Sequence, residues 1–242
     1  MSEAKKLCVI TGASSGFGES IAKLFASRGY PMLLLARRLE RMEALNLPNT
    51  MCRAVDVCDR AAVCAAVKEA EGKYGPVDCL VNNAGVMLLG KFDVQDPAEW
   101  EKMVDVNVKG VFNGTAAVLP GMKERKCGTI INISSVAGRK GFGNHAAYCG
   151  TKAAVHLYTE TLREEVAMDN VRVIVLAPGA AETELLGHTT DKAIVDGYTQ
   201  WKKDMGGVMC ADDIAETVRW VYEAPQRLCI REVVLCATKQ AP

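Results

Sequence analysis

The chain has 242 residues, 49% of them hydrophobic and 24% charged, enough to bury one full core in a single α/β domain, 1–242. Lys+Arg and Asp+Glu each number 29, so nothing in the overall charge draws the chain to nucleic acid or to an anionic membrane. Met1-Ser2-Glu3-Ala4-Lys5-Lys6 runs into an apolar strand without a signal-peptide core, no apolar run reaches about 18 residues, and the ten cysteines include no C-x-x-C pair; a soluble, cytoplasmic protein with reduced thiols is expected.

The first apolar run, 7–11, breaks into Gly12-Ala13-Ser14-Ser15-Gly16-Phe17-Gly18 and opens into an amphipathic helix over 17–28. Strand, glycine turn and helix form a phosphate-binding arrangement: Gly12 permits a sharp turn, Gly16 a close approach to a pyrophosphate, and Gly18 the packing of the helix on the sheet. Strands follow at 32–36 and 51–55, separated by a short helix over 39–45 that ends before Pro48. Asp59 caps a helix over 60–73, Gly75-Pro76 stops it, and a fourth strand at 77–81 runs into Asn82-Asn83-Ala84-Gly85. A long helix over 97–123, a strand at 129–133, a helix over 144–168 and a strand at 171–177 come next. A loose stretch over 179–209, a helix over 212–222 and a strand at 232–235 complete the chain. This β-α alternation predicts a doubly wound Rossmann domain, with a parallel sheet, helices on both faces and ligands at the carboxyl ends of the strands.

Unusual residues gather at those ends: Asn82-Asn83-Ala84-Gly85, Ser134-Ser135 and Pro178-Gly179. Tyr148 and Lys152, four apart, share a helix face, although that spacing alone also describes a solvated pair. The three histidines, His145, His156 and His188, have no metal-ligand spacing, and no metal is expected.

The set Thr11-Gly12-x-x-x-Gly16-x-Gly18, Asn82-Asn83-Ala84-Gly85, Asn107, Ser135, Tyr148-x-x-x-Lys152 and Pro178-Gly179 with Thr183 resembles the short-chain dehydrogenase/reductase family over nearly the whole chain. The resemblance implies a seven-stranded sheet and hydride transfer between a nicotinamide and a carbonyl or alcohol. It implies Tyr148 as acid/base, Ser135 as the group orienting the substrate oxygen, Lys152 on the nicotinamide ribose, and Asn107 supporting a relay water. Ser135 is preferred over Ser134 because it stands thirteen residues before Tyr148, the family's usual separation. Ser14, Ser15, Phe17, Asp56, Val57, Asn83, Ala84, Gly85, Pro178, Gly179 and Thr183 join the glycines as expected cofactor contacts, with Asp56-Val57 at the adenine.

After the second strand stands Ala36-Arg37-Arg38, where an NAD-selective site would carry an acid. Guanidiniums clamp a 2′-phosphate and a carboxylate repels it, so NADP(H) is expected. Arg37 is the first choice for that contact, with Arg38 stacking on adenine or reinforcing the charge; a solvated arginine pair at a helix start is the bland alternative. Residues 179–209 are expected to form a lid, where Leu185, Leu186, Tyr198 and Trp201 line a pocket or pack as ordinary lid core. Arg139-Lys140 could hold a substrate carboxylate or be a solvated turn, and His145 could touch substrate or be a polar first-turn residue. The pattern looks most like bacterial reductases of 3-hydroxy acids and small aldehydes or ketones. A 3-oxoacyl thioester reductase and a non-catalytic NADP(H)-binding sensor are the alternatives. The family commonly pairs its long helices, so a homodimer or homotetramer is expected.

Overall fold

Parallel strands buried on both faces read as short, unbroken apolar runs, and the computed structural model, which describes residues 5–240, places seven of them in one sheet. In chain order the elements are β1 (Leu7–Thr11), α1 (Gly16–Ser27), β2 (Met32–Ala36), α2 (Leu39–Glu43), β3 (Thr50–Ala54), α3 (Arg60–Tyr74) and β4 (Val77–Asn82). Then come α4 (Pro97–Val104), α5 (Gly110–Glu124), β5 (Gly128–Ile133), α6 (Ala146–Glu165), β6 (Val171–Pro178), α7 (Lys192–Asp204), α8 (Ala211–Glu223) and β7 (Glu232–Leu235). The strand order is β3-β2-β1-β4-β5-β6-β7, every pair parallel, as expected for a doubly wound Rossmann domain.

Alternate residues of each strand serve opposite cores. Cys8, Ile10, Met32 and Leu34 pack with Phe25 of α1 and Val218 of α8, whereas Leu7, Val9, Leu33 and Leu35 pack with Val67 of α3, Val118 of α5 and Leu162 of α6. Among the described residues no helix is long and apolar enough to cross a membrane.

Three segments depart from the expected pattern. The single helix expected over 97–123 is divided by a π-turn at Asp105–Lys109, which lies between α4 and α5 and carries Asn107. The helix expected over 144–168 ends at Glu165 and passes through a 3-10 turn, Ala167–Asp169, into Asn170, which takes a left-handed backbone (φ 55°). The stretch expected to be loose, 179–209, holds a 3-10 turn, Glu184–His188, and the whole of α7. Asp191 caps α7, accepting from the amides of Ala193 (2.9 Å) and Ile194 (3.2 Å). A bridge between Ala181 and Met209 ties the two ends of this segment together.

Gly12 illustrates how closely the sheet's centre is packed. Its φ is +67°, and a Cβ there would lie 2.7 Å from Ala84 Cα, whereas Gly29, at φ +79°, faces open space. Gly29→Ala should therefore cost about 1 kcal/mol, left-handed strain alone. Gly12→Ala should cost at least twice that, because the β1–β4 contact must also open. Urea midpoints of the two variants check this, and equal losses would contradict the packing argument.

Candidate active site

At the carboxyl ends of the strands lies a cleft of about 1140 Å³. Gly12, Ser14, Ser15, Gly16, Phe17, Arg37, Arg38, Asp56, Val57, Asn83, Ala84, Gly85, Ser135, Tyr148, Lys152, Pro178, Gly179 and Thr183 all line it. Of the expected catalytic and cofactor residues, Gly18 and Asn107 stand behind the wall. A Cβ on Gly18 would lie 2.6 Å from Asn83 Nδ2 and 2.9 Å from Ala13 Cα, so this glycine permits the loop's packing.

The glycine loop is locked to β4. Thr11 Oγ1 accepts from the amides of Asn83 and Ala84, both at 3.0 Å, and Asn83 Nδ2 donates to the carbonyls of Thr11 (2.9 Å) and Gly12 (3.3 Å). Helix α1 starts here without a side-chain cap, unlike α3, α4 and α7, which are capped by Asp59, Asp96 and Asp191. Its first-turn amides thus have no capping side chain and could donate to a ligand's oxygens. Thr183 stands over the loop: a Cβ on Gly16 would come within 3.5 Å of its side chain.

Basic residues gather on the far side of this loop. Arg38 donates to Ser14 Oγ (3.3 Å) and Ser15 Oγ (2.8 Å) and pairs with Glu184 (3.1 Å), which also pairs with Arg41 (2.8 Å). The guanidiniums of Arg41 and Arg38 hold the Glu184 carboxyl below the usual range. Among the described residues the side chain of Arg37 makes no hydrogen bond or ion pair. Asp56 accepts from the amide of Cys58 (2.9 Å), which, with the charge of Arg37, keeps its carboxylate ionised below the usual range.

Tyr148 lies in the first turn of α6 and is 5% exposed. Burial pushes its phenol well above the ordinary tyrosine range, and a hydrogen bond from Ser135 opposes that shift. Ser135 Oγ accepts from the amide of Ala137 (3.1 Å), which leaves its own proton for the phenol. One turn on, Lys152 Nζ lies 5.7 Å from the Tyr148 ring centroid and donates to the Ile133 carbonyl (3.1 Å). Burial lowers the Lys152 ammonium to about 8.

Asn107 braces this arrangement from behind. Its Oδ1 accepts from Val86 N (2.8 Å), and its Nδ2 donates to Val86 O (2.9 Å) and Thr151 Oγ1 (3.1 Å), joining the loop after β4 to α6. Only a small residue fits in front: a Cβ on Gly85 would lie 3.3 Å from Asn107 Oδ1 and 3.6 Å from Lys152 Nζ.

Ser134, passed over for Ser135, and His156, which lacks metal-ligand spacing, meet behind the Lys152 turn. Ser134 Oγ lies 3.0 Å from the Lys152 carbonyl and 2.9 Å from His156 Nδ1, and His156 Nε2 lies 3.2 Å from a Glu232 carboxylate oxygen. The signal available was spacing alone, His156 being one turn after Lys152. Arg139 also pairs with Glu232, at 3.4 Å, and does not line the cleft. Among the described residues no cluster of His, Cys, Asp and Glu could hold a metal ion.

The sequence profile of the family described as short chain dehydrogenase matches residues 6–193. An uncharacterised oxidoreductase of Staphylococcus saprophyticus is 38% identical over 242 residues, 98% of this chain and 97% of that protein. Among solved structures, the closed form of a serine dehydrogenase complexed with NADP+ superposes with a TM-score of 0.91 at 32% identity, over 98% of this chain and 96% of that one. An alcohol dehydrogenase from the archaeon Thermococcus sibiricus, complexed with 5-hydroxy-NADP, gives 0.85 at 28% identity, over 98% and 99%. A match that runs from the glycine loop through the Tyr148 helix, with whole-length relatives and the same sheet, makes this chain a member of the short-chain dehydrogenase family of oxidoreductases.

Proposed function

We propose that the protein transfers a hydride between NADP(H) and a carbonyl or alcohol, with Tyr148 as the proton donor and acceptor. The observation that carries this reading is the buried Tyr148 with a Ser135 hydrogen bond on its oxygen and the Lys152 ammonium beside its ring. The residues fit a dinucleotide: α1 is uncapped, Gly12 and Gly16 clear the loop of side chains, and Asp56 and Val57 line the cleft after the third strand. In this reading Phe17, Asn83, Ala84, Gly85, Pro178, Gly179 and Thr183 form the remaining walls, and Lys152 holds the ribose.

When bound, the nicotinamide supplies or accepts the hydride and, oxidised, adds positive charge to the cleft. Ser135 donates to the substrate oxygen and stabilises an alkoxide as it forms. Tyr148 delivers or removes the proton at that oxygen, and Lys152 favours its phenolate form. Asn107 positions Val86 and the α6 turn, so its support of any relay water is indirect. Residues 179–209, tied at the base by the Ala181–Met209 bridge, cover the cleft as a lid.

NADP(H) is favoured by the basic cluster and the missing acid at Ala36, and both solved relatives above hold NADP-type ligands. Arg38, already on Ser14 and Ser15, takes the 2′-phosphate more directly than Arg37. The substrate class is a small aldehyde, ketone or hydroxy compound. Ten free thiols suit a reducing compartment such as the cytoplasm.

Exposed Val104, Phe112 and Leu157 on the α4–α6 face, with Phe112 and Tyr158 rings 4.5 Å apart, suit a two-fold homo-oligomer. Sedimentation at micromolar concentration should show a dimer or tetramer, and a monomer would refute it.

Two further outcomes test the reaction itself. In a screen of aldehydes, ketones and hydroxy acids with both cofactors, wild type should turn over at least one carbonyl with NADPH. Tyr148→Phe should bind NADP(H) normally and lose roughly 100-fold or more of the rate; wild-type rates in that variant would sink the mechanism. Arg38→Ala should weaken NADP(H) by about ten- to hundredfold, the loss of a hydrogen bond to a charged group, and Arg37→Ala by less. NAD(H) affinity should scarcely change, so equal effects on both cofactors would mark these arginines as solvated charges only.

A further inference from the structure

The cleft changes character around Tyr148. Met87 and Ala137 pack with the Tyr148 side chain in one apolar cluster, and Phe142, Leu186, Ile194 and Tyr198 lie against it. Rings continue the wall: His145 has its centroid 5.7 Å from Phe142, 6.3 Å from Tyr148 and 6.2 Å from Tyr198, and Tyr198 is 5.1 Å from Trp201. This surface suits an apolar or aromatic group and carries no cation for an anion.

Of the nearby cations, all but the exposed Lys91 are engaged elsewhere or stand at the other end of the cleft. Arg139, four residues after Ser135, is paired with Glu232 and absent from the cleft wall. Lys140 lies 5.8 Å from the Phe142 ring centroid, also outside the wall, and Lys202 is bound to Glu182 at 2.7 Å. Lys152 is buried and donates to the Ile133 carbonyl. Lys91, the remaining lysine of the wall, is exposed to solvent, and Arg37 and Arg38 stand at the glycine-loop end. A carboxylate drawn against Tyr148 would shed water and gain no unengaged buried cation in return.

Beside the Ser135 and Tyr148 hydroxyls, His145 also lines this end. His145 Nδ1 lies 2.5 Å from the Gly143 carbonyl, which can only accept, so Nδ1 carries the ring proton. Burial lowers the affinity of the ring for a second proton, which leaves Nε2 as an acceptor.

We propose that the Tyr148 end of the cleft selects uncharged carbonyl compounds with an apolar or aromatic substituent and rejects those that carry a free carboxylate. His145 serves as a neutral acceptor for a hydroxyl or amide hydrogen on the substrate. This rests on the hydride-transfer reading above, and narrows its substrate class.

A matched pair of ketones, ethyl acetoacetate and acetoacetate, differs in the carboxylate. With NADPH the ester should show a kcat/KM at least tenfold above the acid, and an acid equal to or better than the ester overturns the proposal. Arg139→Ala should leave both rates unchanged, since its side chain lies outside the wall; a loss confined to acetoacetate would restore it as a carboxylate contact and also overturn the proposal. Calorimetric binding to the NADP+-loaded Tyr148→Phe protein separates this inference from the reaction. If wild type reduces neither ketone but the loaded variant binds the ester or acetophenone and not acetoacetate, hydride transfer to this class falls while the selectivity stands. Acetoacetate binding as tightly as the ester, or binding of neither neutral ketone, overturns the selectivity whatever the rates.

Discussion

The joint between Thr11 and Asn83 is the constraint from which the rest of the cleft follows. Strand order reverses between β1 and β4, so their carboxyl ends part and a crevice opens at this point in the sheet. One buried hydroxyl takes two amides of the β4 loop while the Asn83 amide returns to two carbonyls of the glycine loop. The two loops that bound the crevice are therefore one rigid piece. Gly12 must lack a side chain because that piece is closed, and Gly85 lies between it and the Lys152 ammonium.

A second layer of buried polar groups carries this rigidity to α6. Asn82 donates to Asn132 across β4 and β5 (2.8 Å), and Asn132 donates to Thr159 of α6 (2.9 Å). Nearer the cleft, Lys152 is held at both ends, its Nζ by Ile133 and its carbonyl by Ser134 with His156. Such groups tolerate little displacement, because a buried donor or acceptor that loses its partner costs about 1–3 kcal/mol. Tyr148 inherits a fixed position from them, one turn before Lys152.

How much of this was legible follows from where the information lies. The strands and the glycine turn were readable because burial on both sheet faces demands unbroken apolar runs, and the turn demands glycine. Tyr148 and Lys152 have a spacing shared by many exposed pairs, and only their burial beside Ser135 separates them from those. The π-turn at Asn107 left no local mark: its partners, Val86 and Thr151, are 21 and 44 residues away. Helix α7 hid behind its charges and Gly197, although Ile194, Tyr198 and Trp201 recur at helical spacing after the Asp191 cap. Likewise, nothing in the sequence tells which of Arg37 and Arg38 meets Ser14, Ser15 and Glu184.

Lys152 also carries a thermodynamic consequence. A dry ammonium with one carbonyl partner is a standing penalty on folding, and a methionine of similar length would suit the same space better. Below about pH 8 folded and unfolded chains both keep this proton, and the penalty is felt in full. Between there and the ordinary lysine range the folded chain releases it first, so the ligand-free fold gains stability as pH rises. Packing alone thus gives no reason for a lysine here, and the fold bears its charge at the expense of endurance.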